Sequence, residues 1–129
     1  MIDHIGFPVS DIKRSTDFYK AALAPLGITL IMEVTPEMTG VEGHHAGFGS
    51  EKRAYFWIDT GKAKKGHMHV AFAAKDRASV AAFYEAAIRA GGKDNGLPGL
   101  RPHYGKNYFG AFVLDPDGHN IEAVSRTPG

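Results

Sequence analysis

The chain contains one segment twice: DIKRSTDFYKAALAPLG at residues 11–27 and DRASVAAFYEAAIRAGG at residues 76–92. The copies lie 65 residues apart without a gap, since Asp11 corresponds to Asp76 and Phe18 to Phe83. The same offset upstream pairs the tetrapeptide that begins at His4 with the one that begins at His69. A repeat of this length indicates a duplicated structural unit.

Each unit begins with a run of β-branched and aromatic residues, at 2–9 and at 67–74, which predicts a strand. A helix is predicted next, with Ser10 or Asp11 as the first cap and Asp76 as the second. Pro25 ends the first helix, and two glycines end the second at 91–92. Further strands are predicted at 29–34, 46–49, 55–59, 93–95, 110–114 and 120–124.

The order of elements in each unit is therefore βαβββ, and two copies predict an α+β domain. Asp115-Pro116-Asp117-Gly118 is a strong turn signal, because proline presets φ and glycine accepts a positive φ. We expect the last two strands to be an antiparallel pair. The chain is predicted to be one domain, with module 1 at about 1–62 and module 2 at about 66–129.

Composition narrows the class of protein. A chain of 129 residues is long enough to bury an apolar core without disulfides, and it contains no cysteine. The formal charge is +1 and the basic residues are scattered apart from Lys62, Lys64 and Lys65, so a nucleic-acid partner has little support. Apolar runs are too short for a membrane span, and Asp3 and His4 argue against a signal peptide. We expect a cytoplasmic protein.

A histidine recurs at the start of both units, as His4 and His69. If the units pack about a pseudo-twofold axis, the two imidazoles can converge, which calls for a metal ion or a shared proton. Either histidine alone is more often a structural residue. Glu122 lies between Ile121 and Ala123 in a predicted apolar strand, so its carboxylate is either at an exposed rim or bound to something positive.

These motifs, together with the Asp115–Glu122 segment, resemble the vicinal oxygen chelate superfamily of glyoxalase I, extradiol dioxygenases, fosfomycin-resistance enzymes and bleomycin-resistance proteins. The resemblance implies two βαβββ modules whose strands form a curved, partly open mixed sheet around a pocket. It also implies one divalent metal ion (Fe, Mn, Zn or Ni) on His4, His69 and Glu122, with Glu122 also catalytic.

One position departs from the family pattern. Glyoxalase I enzymes usually have a fourth ligand, a glutamate that is the symmetry mate of the final-strand glutamate. The repeat offset places that mate at Trp57, which cannot ligate a metal. Two histidines and one carboxylate with open positions resemble instead the arrangement associated with Fe(II) oxygen chemistry, which also suits Mn(II).

Other residues are candidates for the surroundings of the site. His67 is expected on the same strand face as His69, either as a supporting base or as a rim residue, whereas His119 is expected to point to the outer face. The remaining candidates for the substrate pocket are Trp57, Phe48, Arg101, Tyr104 and Tyr108. For the aromatic ones the alternative is ordinary core packing.

Three functions remain open at this point. The first is a metal-dependent enzyme, either a lyase or isomerase related to glyoxalase or a dioxygenase, acting on a small substrate that chelates the metal through adjacent oxygens. The second is a thiol transferase of the fosfomycin-resistance type. The third is a metal-free drug-binding protein, which the charge of +1 disfavours. We also expect a homodimer, because small relatives usually pair and sometimes build each site from modules of two chains.

Overall fold

The computed structural model describes residues 1–40, 43–61 and 66–129. Lys62, Lys64, Lys65 and the expected boundary of module 1 at residue 62 lie outside the described residues. The elements in chain order are β1 (Ile5–Pro8), α1 (Ile12–Leu23), a 3-10 helix (Ala24–Leu26), β2 (Thr29–Val34), α2 (Pro36–Thr39), β3 (His45–Ser50), β4 (Arg53–Asp59), β5 (His69–Ala73), α3 (Arg77–Arg89), β6 (Lys93–Leu100), β7 (Phe109–Leu114) and β8 (Asn120–Ser125).

The strands form two four-stranded mixed sheets, one from each copy of the repeat. Sheet 1 has the order β1-β4-β3-β2, and sheet 2 has the order β5-β8-β7-β6. The first and last strands of each unit are parallel, whereas the other neighbours are antiparallel. The predicted α+β fold of two βαβββ modules with open sheets is confirmed, including the antiparallel pairing of β7 with β8.

Both long helices begin at the predicted caps. The Asp11 carboxylate accepts from the Arg14 amide at 3.1 Å, and the Asp76 carboxylate accepts from the Ser79 amide at 2.8 Å. Each cap satisfies a backbone donor that the first helical turn leaves without a partner. The copies therefore begin their helices in the same way.

The register of the sheets preserves the 65-residue offset. Gly6 pairs with Trp57 across β1 and β4, while Ala71 pairs with Glu122 across β5 and β8. Trp57 and Glu122 therefore occupy equivalent positions in the two modules.

The two modules share one hydrophobic core. Helices α1 and α3 pack against each other, and one face of each sheet packs on this pair. Phe56 of sheet 1 and Phe72 of sheet 2 meet edge to face with their ring centroids 5.2 Å apart. The other face of each sheet, which we call the open face, points away from the helices.

Buried polar contacts also join the modules. The Tyr19 hydroxyl on α1 donates to Asp115 Oδ2 at 2.5 Å, and Asp115 Oδ1 accepts from the backbone amides of Asp117 and His119, each at 2.9 Å. Burial first, and the charge of Asp115 next, raise the pKa of Tyr19 well above its ordinary value. The β7–β8 turn is thereby fixed to the first helix.

Some element bounds differ from the prediction. β1 begins at Ile5, and β6 continues to Leu100 through Gly96, Pro98 and Gly99. Proline and glycine are tolerated there because β6 is an edge strand with irregular pairing to β7. The sequence analysis also missed the one-turn helix α2. No described helix has the length and apolar character that a membrane span requires.

Candidate metal centre

Glu122 lies on the open face of sheet 2, in the middle of β8. Glu122 is only 2% exposed, although strand alternation directs its side chain away from the helices. His69 lies on the neighbouring strand β5, with its Nε2 3.2 Å from Glu122 Oε1. A buried carboxylate is costly unless something positive faces it, so this pair defines the candidate site.

The imidazole of His69 is oriented by the backbone. Its Nδ1 lies 3.1 Å from the carbonyl oxygen of Asn120, which can only accept a hydrogen bond. Nδ1 therefore carries the hydrogen, and in the neutral ring Nε2 presents a lone pair toward Glu122 Oε1. Two acceptors at this distance need a proton or a metal ion between or beside them. A backbone carbonyl on the far nitrogen is a common support for metal-binding histidines.

Tyr108 occupies the second oxygen of the carboxylate. Its hydroxyl donates a short hydrogen bond to Glu122 Oε2. Burial first, and then the bond and the charge of Glu122, raise the pKa of Tyr108 to about 12. Tyr108 therefore remains a neutral donor near pH 7, and Oε1 is the oxygen left to face His69.

A cavity of about 430 Å³ opens beside this pair. Phe112 lies directly opposite Glu122 on β7, so both side chains share the open face. The His69 ring lies nearly parallel to the Phe112 ring, with the centroids 6.4 Å apart. The cavity is lined by His69, Tyr104, Tyr108, Phe112, Asn120, Glu122 and Arg126.

His4 is not part of this cluster. Its Nδ1 lies 2.8 Å from Asp3 Oδ1, and Asp3 also pairs with Arg53 at the start of β4. Across the described ranges, no group of three histidine, cysteine or acidic side chains is close enough to hold a metal ion. One chain thus brings His69 into contact with Glu122, while His4 and His69 line a second cavity of about 510 Å³.

His67 lies at the β7–β8 turn and not beside Glu122. Its ring packs edge to face on His119, with centroids 6.0 Å apart, and its Nε2 lies beside Gly118. The expected shared face with His69 fails because β5 begins only at His69, so strand alternation does not extend back to His67. His119 does point away from Glu122, but it is buried against Phe7 and accepts from the Met68 amide.

The two aromatic candidates from sheet 1 differ in position. Trp57 lies on the open face with its indole over Gly47, where an added Cβ would lie 2.7 Å from the ring. Phe48 is fully buried in the core and packs on Tyr19 and Phe56. Phe48 pairs with Phe56 across β3 and β4, and both side chains face α1, so Phe48 cannot line a pocket on the open face.

Arg101 and Tyr104 lie at the margin of the cavity. The Arg101 guanidinium stacks on Phe112 at 5.4 Å and donates to the Leu97 carbonyl at 2.7 Å. Tyr104 packs edge to face on Tyr108, with centroids 5.3 Å apart, and is 58% exposed.

The sequence analysis missed Arg126. It lies beyond the end of β8, so strand alternation did not predict its position, but its side chain lines the cavity with Glu122. Its guanidinium carbon lies 4.9 Å from the centre of the Tyr108 ring.

Fold and site together define a class of small proteins with paired βαβββ modules and a histidine–carboxylate centre. A family model for the Glyoxalase/Bleomycin resistance protein/Dioxygenase superfamily matches residues 1–123, and the chain belongs to this superfamily. No curated protein sequence matches it significantly.

Several solved structures share the fold. A glyoxalase/bleomycin resistance protein from Albidiferax ferrireducens T118 is 27% identical, with a TM-score of 0.74 and coverage of 97% of this chain and 98% of that one. The E144Q mutant of glyoxalase I from Zea mays is 26% identical, with a TM-score of 0.68, and 95% of this chain matches 46% of the maize chain. This chain is therefore similar to less than half of the maize protein. A glyoxalase-related enzyme from Fulvimarina pelagi, 22% identical with a TM-score of 0.67 and coverage of 97% and 87%, shares the fold.

Proposed function

We propose that this protein is a metal-dependent enzyme of the glyoxalase/dioxygenase type, acting on a small substrate that chelates the metal through adjacent oxygens. The observation that carries the proposal is the buried Glu122 carboxylate, whose Oε1 faces the lone-pair nitrogen of His69. This donor set fits a divalent cation, because imidazole nitrogen and carboxylate oxygen are ligands of Fe, Mn, Zn and Ni.

The chain's own residues have distinct tasks in this proposal. His69 Nε2 and Glu122 Oε1 would hold the metal, while the Asn120 carbonyl and the Tyr108 hydroxyl keep these ligands oriented. A bound metal supplies a positive charge that polarises a chelating substrate oxygen. Phe112 lines the cavity directly opposite Glu122 and presents an apolar surface to a bound substrate.

We further propose that the third ligand, His4, is supplied by a second copy of the chain in a homodimer. Within one chain the His4 ring pairs with Asp3, and His4 and His69 line one cavity of about 510 Å³ without forming a group of three ligands among the described residues. The open face of sheet 1 also carries Met32, which pairs with Gly47 and is 47% exposed. A partner that covered this face with its own sheet 2 would bury Met32 and would bring His4 toward a His69–Glu122 pair.

The test begins with protein purified without chelator and loaded separately with Fe(II), Mn(II), Zn(II) or Ni(II). Each form is assayed with a vicinal diol, a dicarbonyl–thiol adduct, and an epoxide with thiol. The proposal is supported if the protein turns over one substrate class, if a chelator abolishes this turnover, and if the Glu122→Gln variant lacks it. Turnover of the epoxide alone favours the thiol transferase, and turnover that is independent of metal contradicts the proposal.

A further inference from the structure

Arg126 is a cation at the cavity that no ion pair neutralises. Among the ion pairs of the described residues, none includes its guanidinium within 4.0 Å. The nearest carboxylate in the cavity, Glu122, is already engaged by Tyr108 and His69. The charge of Arg126 is therefore available to something that enters the cavity.

The ring of Tyr108 fixes the position of this charge. The guanidinium stacks on the ring face at 4.9 Å, whereas the hydroxyl at the end of the same ring binds Glu122. A stacked guanidinium keeps its N–H edge free for an acceptor, and that edge matches the geometry of a carboxylate. Tyr108 thus lies between the candidate metal position and the Arg126 guanidinium, both of which border the cavity.

We propose that Arg126 binds a carboxylate of the substrate, so that the substrate class is a carboxylic acid that also carries two adjacent metal-binding oxygens. This inference rests on the proposed function for the chelating oxygens. The Arg126 guanidinium and the cavity of about 430 Å³ match one small monoanion, since the Arg101 guanidinium on Phe112 already donates to the Leu97 carbonyl. The substrate carboxylate would also give Arg126 the anionic partner that the ion pairs of the described residues do not provide.

The test compares two chelating probes that differ only in the acid group: catechol and 3,4-dihydroxybenzoate. Binding of each to the metal-loaded protein is measured by calorimetry. A charge-assisted hydrogen bond at an exposed site predicts that the wild type binds the acid about tenfold more tightly. Arg126→Gln should remove this preference, so that the variant binds the two probes with equal affinity.

The control is Arg89→Gln, which removes the same charge from the exposed end of α3. The control should keep the tenfold preference, and higher salt should reduce the preference in the wild type. Equal binding of the two probes to the wild type, or the same loss in both variants, would overturn the inference and leave the metal proposal standing. If neither probe binds in a metal-dependent way, the proposed function fails as well.

Discussion

Residues 57 and 122 occupy equivalent places in the two modules and differ in charge, size and hydrogen bonding. Glu122 brings a buried carboxylate to the open face of sheet 2, whereas Trp57 covers Gly47 on the open face of sheet 1. The opposite residues are exchanged as well, since Gly47 faces the large indole and the larger Phe112 faces Glu122. At this position module 2 has a carboxylate, whereas module 1 has an indole, which cannot ligate a metal ion.

The first prediction concerns this exchange. Trp57→Glu should tighten binding of the divalent metal by about tenfold, or about 1.4 kcal/mol, because it adds an anionic oxygen ligand to the half of the site that contains His4. Trp57→Leu is the matched control, since it removes the indole without adding a ligand. The measurement is competitive titration with a coloured chelator, and equal affinities in the two variants would count against the register argument.

A second prediction follows for the reaction. Without the fourth ligand, the unaltered protein should form little lactoylglutathione from the methylglyoxal–glutathione adduct with any of the four metals. A carboxylate at the symmetry mate of Glu122 would be needed to move the proton between adjacent carbons. Robust activity of the wild type in a spectrophotometric glyoxalase assay would contradict this account of Trp57.

At the scale of elements, the contact between α1 and the β7–β8 turn determines how the modules are held together. The Tyr19 hydroxyl and two backbone amides satisfy the buried carboxylate of Asp115. Tyr19→Phe should destabilise the fold by about 1–3 kcal/mol, because it leaves a buried carboxylate oxygen without a donor. Urea unfolding at pH 7 measures this loss, with Tyr104→Phe as the control because Tyr104 is 58% exposed.

The same tyrosine predicts a dependence on pH. Because the pKa of Tyr19 is raised in the folded state, its contribution to stability is complete below the unfolded pKa of about 10. The contribution is lost progressively as pH rises above that value. The wild type should therefore lose stability between about pH 10 and pH 12, and Tyr19→Phe should lose less over the same range. Parallel declines of the two proteins in urea titrations would contradict this role of Tyr19.

The repeat made most elements predictable because each helix and strand could be recognised in two copies of the same unit. The equivalence of Trp57 with Glu122 follows from the offset, whereas the helix caps and the pairing of β7 with β8 follow from local cap and turn signals. The length of β6 was missed because local glycine and proline signals do not show that a strand is at an edge. The position of His67 was missed because strand alternation holds only where the strand exists, and the start of β5 depends on tertiary pairing.

At the scale of the whole molecule, the question is how His4 joins the proposed metal site. The open faces of both sheets point away from the shared helical core, so in the proposed dimer each can meet a sheet of the partner. We predict that chains with His4→Ala and chains with His69→Ala each bind no metal as homodimers, whereas the mixed dimer binds one metal ion. In the mixed dimer, one site combines the intact His4 of the second chain with the intact His69 and Glu122 of the first.

Two affinity tags isolate the mixed dimer after co-expression, and light scattering gives its mass. Metal-free mixed dimers would place all three ligands in one chain, and metal bound to the His4→Ala homodimer would exclude His4 from the site. A monomeric mass for the wild type at micromolar concentration would contradict the homodimer itself.

The central claim is that His69 and Glu122 hold a divalent metal ion. It is tested most directly by the metal content of His69→Ala, beside His67→Ala as the matched control, since His67 is two residues away and packs at the β7–β8 turn. Both variants are confirmed as folded by circular dichroism, equilibrated with each metal and analysed by mass spectrometry. We predict stoichiometric metal in the wild type and in His67→Ala and none in His69→Ala, whereas full occupancy in His69→Ala would contradict the claim.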